Sequence, residues 1–385
     1  MTLPPETSGP PLSAAQAILT IDLGALAQNW RKLRHYSTPA ECGAVVKADA
    51  YGIGIEQAVR TLAAAGCRTF FVAQASEGAR VRAALNKQDG YRIYCLNGLL
   101  PGPQVFDAFI EHDLRPVIGS RAELDAWIKQ GALHLQQMPV ALQFNTGMNR
   151  LGIDAHDAAE VLAVLRAAGV ESKIDYVMSH FVSSEAERDP LNGAQIKAFD
   201  LVRNVFAGFR FSLANSSGIM LPQKPHYDLV RPGYALYGGN PSPGVPNSMQ
   251  PVVKLQAPII QLRSIEAGES TGYNAQWTAK RRSRLATIGI GYADGLPRSA
   301  MSTPEKPGAQ AEIAGRLCPL VGRVSMDLIV LDVTDVPESE LAPGAMAELL
   351  GERISIDDLG ERAGTIGYEI LTSLGRRYHR VYLNP

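Results

Sequence analysis

Eight apolar runs recur through the first 240 residues, separated by stretches with helical spacing, and this alternation limits the folds open to the chain. The runs cover 43–48 (GAVVKA), 69–74 (TFFVAQ), 91–97 (YRIYCLN), 114–120 (LRPVIGS), 139–145 (PVALQFN), 173–181 (KIDYVMSHF), 209–217 (FRFSLANSS) and 226–238. Several are almost continuously apolar, as strands buried on both faces must be. Residues 157–169 and 191–208 between them place apolar side chains at helical spacing. The 217–225 link is short for a helix. Regular βα alternation predicts a (β/α)8 barrel. A doubly wound open sheet is the competing arrangement, because counting strands does not prove closure.

The pattern changes at PSPGVPNSMQP, 241–251, which has the composition of a linker. Beyond it lie β-rich runs, with helical spacing only towards the end. The chain is therefore α/β, with a (β/α)8 barrel over 16–244 followed by a mainly β domain over 245–385. An early strand at 17–23 precedes the barrel and can pair with the β domain. The Pro- and Ser-rich start, 1–15, is expected to be a disordered tail, with neither the basic start nor the apolar core of a secretory signal.

The balance of 37 basic and 38 acidic residues argues against nucleic acid as the main partner. No run of 18 apolar residues is present, so no membrane span is expected. Four scattered cysteines without a CxxC fit a reducing cytoplasm. No HxxxH or HExxH spacing occurs, and no metal is expected.

The active face of such a barrel lies at the carboxyl ends of its strands. Lys47 stands there after the first strand, where burial would lower its pKa and make it a Schiff-base nucleophile. A strand-end lysine reaching back to water is the plainer reading. Asn145 and Arg150 follow the fifth strand, His180 the sixth, Asn215 and Ser216 the seventh, and Arg231 lies in the eighth. Alone, His180 would be a satisfied buried histidine and Arg231 an ion-pair partner. Their shared end of the sheet gives the set its weight. Ser216 opens the region where these barrels bind phosphate, and Gly233 would let backbone approach it closely. A Schiff-base lysine facing a phosphate site suggests pyridoxal 5′-phosphate (PLP). GIGYADG, 289–295, fails as a dinucleotide fingerprint because Asp294 stands where the last glycine should be.

The segments AVVKADAYGIG, NTGMNRLGI, SHFVSSE, LANSSGIM, VRPGYALYG, STGYNAQW, IGIGYADGLPR, VGRVSMD and TIGYEI occur in this order. With them the chain resembles the bacterial alanine racemases, PLP enzymes of fold type III, over nearly its whole length after the tail. The resemblance implies racemisation of L- and D-alanine, supplying D-alanine for peptidoglycan. It implies that Lys47 carries PLP and acts as one base, with Tyr273 as the other. Tyr51, Ser216, Gly233, Tyr234 and Tyr368 match phosphate-binding positions. Arg231 matches the arginine at the pyridine nitrogen, with His180 beside it. Arg150 and Met326 match contacts to the substrate carboxylate, and Glu185, Tyr292 and Arg298 match the substrate gateway. The family is usually a head-to-tail homodimer, in which Tyr273 would serve the partner's PLP.

Two bases on opposite faces of Cα can remove a proton from one side and return it to the other. Arginine holds its own proton too tightly to give it to a ring nitrogen. The ring is then a weak electron sink, and Arg231→Glu is expected to slow racemisation and increase transamination. Many relatives carry a carbamylated lysine at Gln143 and aspartate at Asn145. The charge that would orient Arg150 is missing here, and either a bound anion or a direct Gln143 amide contact would replace it. A serine or broader-specificity racemase and a non-catalytic PLP-binding barrel are the alternatives. A PLP decarboxylase on this fold would call for an acid where Arg231 stands.

Overall fold

A computed structural model describes residues 6–86, 90–102, 105–134, 138–302 and 307–384. Parallel strands run in the order Phe211–Ser212, Ile174–Met178, Val140–Asn145, Arg115–Ile118, Arg92–Cys95, Thr69–Val72 and Ala44–Val45. Closure comes from the eighth strand, Leu229–Val230. It pairs in parallel with Glu41–Cys42, which continues into Ala44–Val45 through Gly43. On its other side Asp228 N donates to Phe211 O at 3.0 Å and Arg231 N to Ala214 O at 2.9 Å. The ring is complete, so the arrangement is a barrel rather than an open sheet.

The expected helices lie at Ala158–Ala167 and Pro190–Val205, the latter capped by the Asp189 carboxylate, which accepts from Leu191 N. The expected 226–238 strand is the largest local difference. Only Leu229–Val230 is strand, and Tyr234–Tyr237 forms a 3-10 turn. Pro232 has no N–H to give a ladder, which ends the strand where the site begins.

Polar side chains close the barrel at the amino-terminal ends of its strands. Glu41 accepts from Arg92 at 2.5 Å, Thr69 at 2.5 Å and Tyr176 at 3.1 Å, while Asp175 accepts from Arg115 at 2.6 Å and Tyr94 at 2.8 Å. Above this floor the strands carry buried apolar side chains on both faces, among them Phe70, Phe71, Val117, Leu142 and Val177.

The second unit is antiparallel. Val253–Ile265, Ser283–Ile288, Ile329–Asp332, Arg316–Val321, Gln310–Ile313 and Met346–Leu350 pair in that order, and the last returns to the first. The early strand, Ile18–Asp22, joins this sheet between Val253–Ile265 and His379–Leu383. The disordered tail expected over 1–15 is not what the described part of it forms. Glu6–Ser8 pairs with His379–Leu383, and the Glu6 carboxylate accepts from Gln57 at 2.7 Å. A free strand edge supplied the backbone partners that composition does not reveal. Residues 1–5 of that expected tail lie outside the described residues. Among the described residues no helix is long and apolar enough to cross a membrane, and all four cysteines are free and buried.

Candidate active site

A cleft of about 660 Å³ opens at the carboxyl ends of the barrel strands. Lys47, Tyr51, Arg150, His180, Ser216, Arg231, Gly233, Tyr234 and Tyr368 all line it, together with Gln143 and Asn215. Its basic side chains are Lys47, Arg150 and Arg231, against one carboxylate, Glu369. Such a lining suits a ligand with negative charge at more than one point.

Lys47 comes one residue after strand Ala44–Val45, beyond Val46. Burial first, and the Arg150 charge second, push its amine pKa down, while Glu77 opposes them. The residues after it are unexpected. Ala48, Asp49, Ala50 and Tyr51 are all left-handed, with φ of 53°, 56°, 53° and 53°. Sequence reading gives no sign of this, since none of the four is glycine.

Arg231 is buried. It donates to Ser179 O at 2.6 Å, to Leu213 O at 3.4 Å and to Ser212 Oγ. Desolvation lowers its pKa to about 9, which leaves it charged at neutral pH. His180 lies near it. Burial, then the charges of Arg231, Arg150 and Lys47, push its imidazole down to about 3, so the ring is neutral.

Ser216 and Gly233 form a cradle. Ser216 Oγ accepts from Gly233 N at 2.9 Å and Ala235 N at 3.2 Å. A Cβ on Gly233 would come within 2.4 Å of Tyr51 Oη, so only glycine lets this backbone face the tyrosine hydroxyl. Tyr51 stacks on Tyr237 with ring centroids 4.5 Å apart, and Tyr234 stacks on Tyr368 at 3.9 Å. Asp357 accepts from Tyr234 Oη at 2.6 Å and from Asn240 N at 3.0 Å. Neither Asp357 nor the cleft-lining Glu369 was singled out from sequence. Burial, and secondarily Glu185 and Asp357, push the Tyr368 phenol up to about 12.

Gln143 does not replace the missing charge directly. Its amide donates to Leu151 O at 3.3 Å, and Arg150 has no hydrogen bond or ion pair among the described residues. Asn145 shapes the adjoining loop instead, accepting from Gly147 N at 3.0 Å and Asn149 N at 3.1 Å.

Tyr273 and Met326 do not line the cleft. Tyr273 is 68% exposed in a hairpin between Ser270–Thr271 and Trp277–Thr278, and Met326 is 54% exposed. Their loops touch, because Gly272 packs on the backbone of Gly322 and Arg323. Tyr292 N donates to Ser325 O and Ala293 N to Met326 O, both at 3.0 Å. Tyr273, Met326 and Tyr292 thus stand on neighbouring loops of the β unit. Tyr292 and Arg298 line a second depression that shares Glu369 with the cleft. Glu185 is exposed, near enough to Tyr368 for its charge to act on that phenol.

A lysine at a barrel strand end, a buried arginine at the depth of the same cleft and a serine–glycine cradle define the PLP-binding barrels with a β domain. The residues present fit that cofactor: an amine, a fixed donor and a hydroxyl-lined cradle open onto one space. Residues 21–241 match the family described as alanine racemase, N-terminal domain, and 252–382 match alanine racemase, C-terminal domain. The chain belongs to the alanine racemase family. It is 49% identical over 369 residues to the alanine racemase of Methylobacterium sp. (strain 4-46), covering 96% of this chain and 98% of that one. It is 45% identical to the alanine racemase of Rhodospirillum rubrum, covering 96% of each. The crystal structure of alanine racemase from Bartonella henselae with covalently bound pyridoxal phosphate superposes with a TM-score of 0.87. The identity there is 37%, over 96% of this chain and all of that one.

Proposed function

We propose that this chain is the subunit of a PLP-dependent alanine racemase, a head-to-tail homodimer whose two sites each draw on both copies. Lys47 and Arg231 opening onto one cleft is the observation that carries the reading. The catalytic unit is a barrel domain over 16–244 and a β domain over 245–385, with the first strand pairing into the latter.

Bound in the cleft, PLP supplies an aldehyde for amines and a conjugated ring that acidifies the substrate Cα–H. Lys47 would hold it through Nζ. Ser216, Tyr51, Tyr368 and the backbone around Gly233 would hold its phosphate, with Tyr234 stacked behind Tyr368. Arg231, fixed by three acceptors, would donate to the ring nitrogen of the cofactor without surrendering a proton. His180, neutral beside it, adds no second charge. Lys47 is the base on one face of Cα, and the lowered pKa of its amine favours the proton-accepting form. The partner subunit's Tyr273 is the base on the other face. Arg150 and the partner subunit's Met326 hold the substrate carboxylate. Glu185, Tyr292 and Arg298 border the approach to the site. The product D-alanine serves peptidoglycan, in the cytoplasm, where free cysteines are kept reduced.

Optical rotation of L-alanine, D-alanine and L-serine, followed with enzyme purified in excess cofactor, tests the assignment. Loss of rotation with both alanine enantiomers, and its abolition in Lys47→Ala, are expected. Protein that retains no PLP, or that racemises serine in preference to alanine, would overturn it.

A further inference from the structure

The turn that follows Lys47 is one that L-residues avoid. A left-handed helix costs each about 1–2 kcal/mol, and four successive residues adopt it here. Such a turn persists only when its surroundings dictate it. From the β unit, Arg380 donates to Gly52 O at 2.7 Å and Tyr382 to Ile53 O at 3.0 Å. Within the turn, Asp49 accepts from Ile55 N at 3.1 Å and from Arg80 at 2.7 Å.

The contact nearest Lys47 comes from Glu77. Its Oε1 accepts from Ala48 N, the peptide N–H just after the lysine, at 2.6 Å. Its Oε2 accepts from Ala73 N at 2.9 Å and Gln74 N at 3.3 Å. Glu77 is the third residue of helix Ala75–Ala84 and completes its capping box. Capping explains the Oε2 contacts. It does not call for the Oε1 contact, which reaches 29 residues back along the chain.

We propose that Glu77 is a positioning residue for Lys47, tying the peptide after the lysine to the end of strand Thr69–Val72 and so fixing how the amine enters the cleft. The proposal rests on Lys47 being the cofactor-bearing base. Glu77 also carries the negative charge that favours the Lys47 ammonium, against burial and Arg150. His180, neutral, and Arg231 face the same region from other strands, and Asp49 is held by Arg80.

Three variants separate the roles. Glu77→Gln keeps an acceptor oxygen and loses the charge, Glu77→Asp keeps the charge with a shorter reach, and Glu77→Ala removes both. Each is compared with the native holoenzyme for kcat and KM against pH, for PLP Kd by fluorescence, and for Tm. Lys47 labelling by an amine reagent against pH, read by mass spectrometry on cofactor-free full-length chain, gives the lysine pKa directly.

Glu77→Ala should lower kcat about tenfold or more, raise PLP Kd, and leave KM for alanine within about twofold. Glu77→Gln should recover most of kcat, yet move the Lys47 labelling midpoint and the acidic limb of the rate profile to lower pH. Glu77→Asp should keep the midpoint. A role confined to helix capping would lower Tm and leave PLP Kd, the labelling midpoint and the acidic limb at native values, and that result overturns the proposal. Should Glu77→Ala not fold, the Gln–Asp contrast decides. Failure of the cofactor reading would appear separately, as native protein that binds no PLP.

Discussion

Mixing two inactive variants tests whether each site is shared. Lys47 lines the cleft, while Tyr273 is 68% exposed on a hairpin outside it. If Tyr273 acts on the partner's cleft, Lys47→Ala and Tyr273→Ala damage opposite members of each site. A mixed dimer then holds one site with both defects and one with neither. Random reassortment gives about half mixed dimers, each with one native site in two, so activity should return to about one quarter of native. The variants are combined in equal amounts, dissociated in mild denaturant and returned to buffer, and D-alanine formation is followed against each variant treated alone. Sedimentation confirms that dimers have re-formed. Activity that never exceeds the sum of the separate preparations would refute the shared site, provided native enzyme survives the same treatment.

Three further outcomes follow from the geometry. His180 has a folded pKa of about 3 against 6.5, so the unfolded chain binds more protons between these values. Its contribution to stability is present above pH 6.5 and is lost as pH falls towards 3. His180→Asn should flatten the fall of Tm through that window. Gly233→Ala places a Cβ within 2.4 Å of Tyr51 Oη. Displacing that hydroxyl should cost about 1–2 kcal/mol, raising PLP Kd about tenfold, as fluorescence titration would read. Arg92→Met leaves Glu41 without its shortest ion pair. Because both side chains are about a quarter exposed, the loss should be about 2 kcal/mol, below that of a fully buried pair, measurable by urea unfolding.

The barrel was legible because its strands are buried on both faces and must be apolar almost throughout, as TFFV at 69–72 illustrates. The eighth strand was overextended from sequence. Its apolar residues continue to Tyr237, and apolarity alone does not distinguish a buried turn from a strand. Pro232 was the available warning. Nine of the expected site residues meet at one cleft, but their spacing along the chain carries no trace of the left-handed turn at 48–51. Local preference argues against that turn; Glu77 bonds it at Ala48 N, and Arg380 and Tyr382 bond the residues just after it, Gly52 and Ile53. Glu77 itself reads as an ordinary helix-capping glutamate in sequence. The fate of Gln143 was equally hidden, because a glutamine side chain can face Arg150 or a neighbouring carbonyl, and here it takes Leu151 O.

The β unit reaches the cleft of its own chain and displays Tyr273 away from it. Strand His379–Leu383 supplies Arg380 and Tyr382 to the backbone that follows the Lys47 turn, and pairs with Ile18–Asp22, just before the barrel. The hairpin carrying Tyr273 and the loop carrying Met326 project from the same β unit. A shift of that unit would therefore disturb the lysine turn of one subunit and, in the proposed dimer, the phenol offered to the other. Removing the Tyr382 hydroxyl by Tyr382→Phe leaves Ile53 O short of a donor at a buried position and should cost about 1 kcal/mol. If the coupling is mechanical, the same change should lower kcat without altering KM for alanine. A loss of Tm with native kcat would confine Tyr382 to holding the fold.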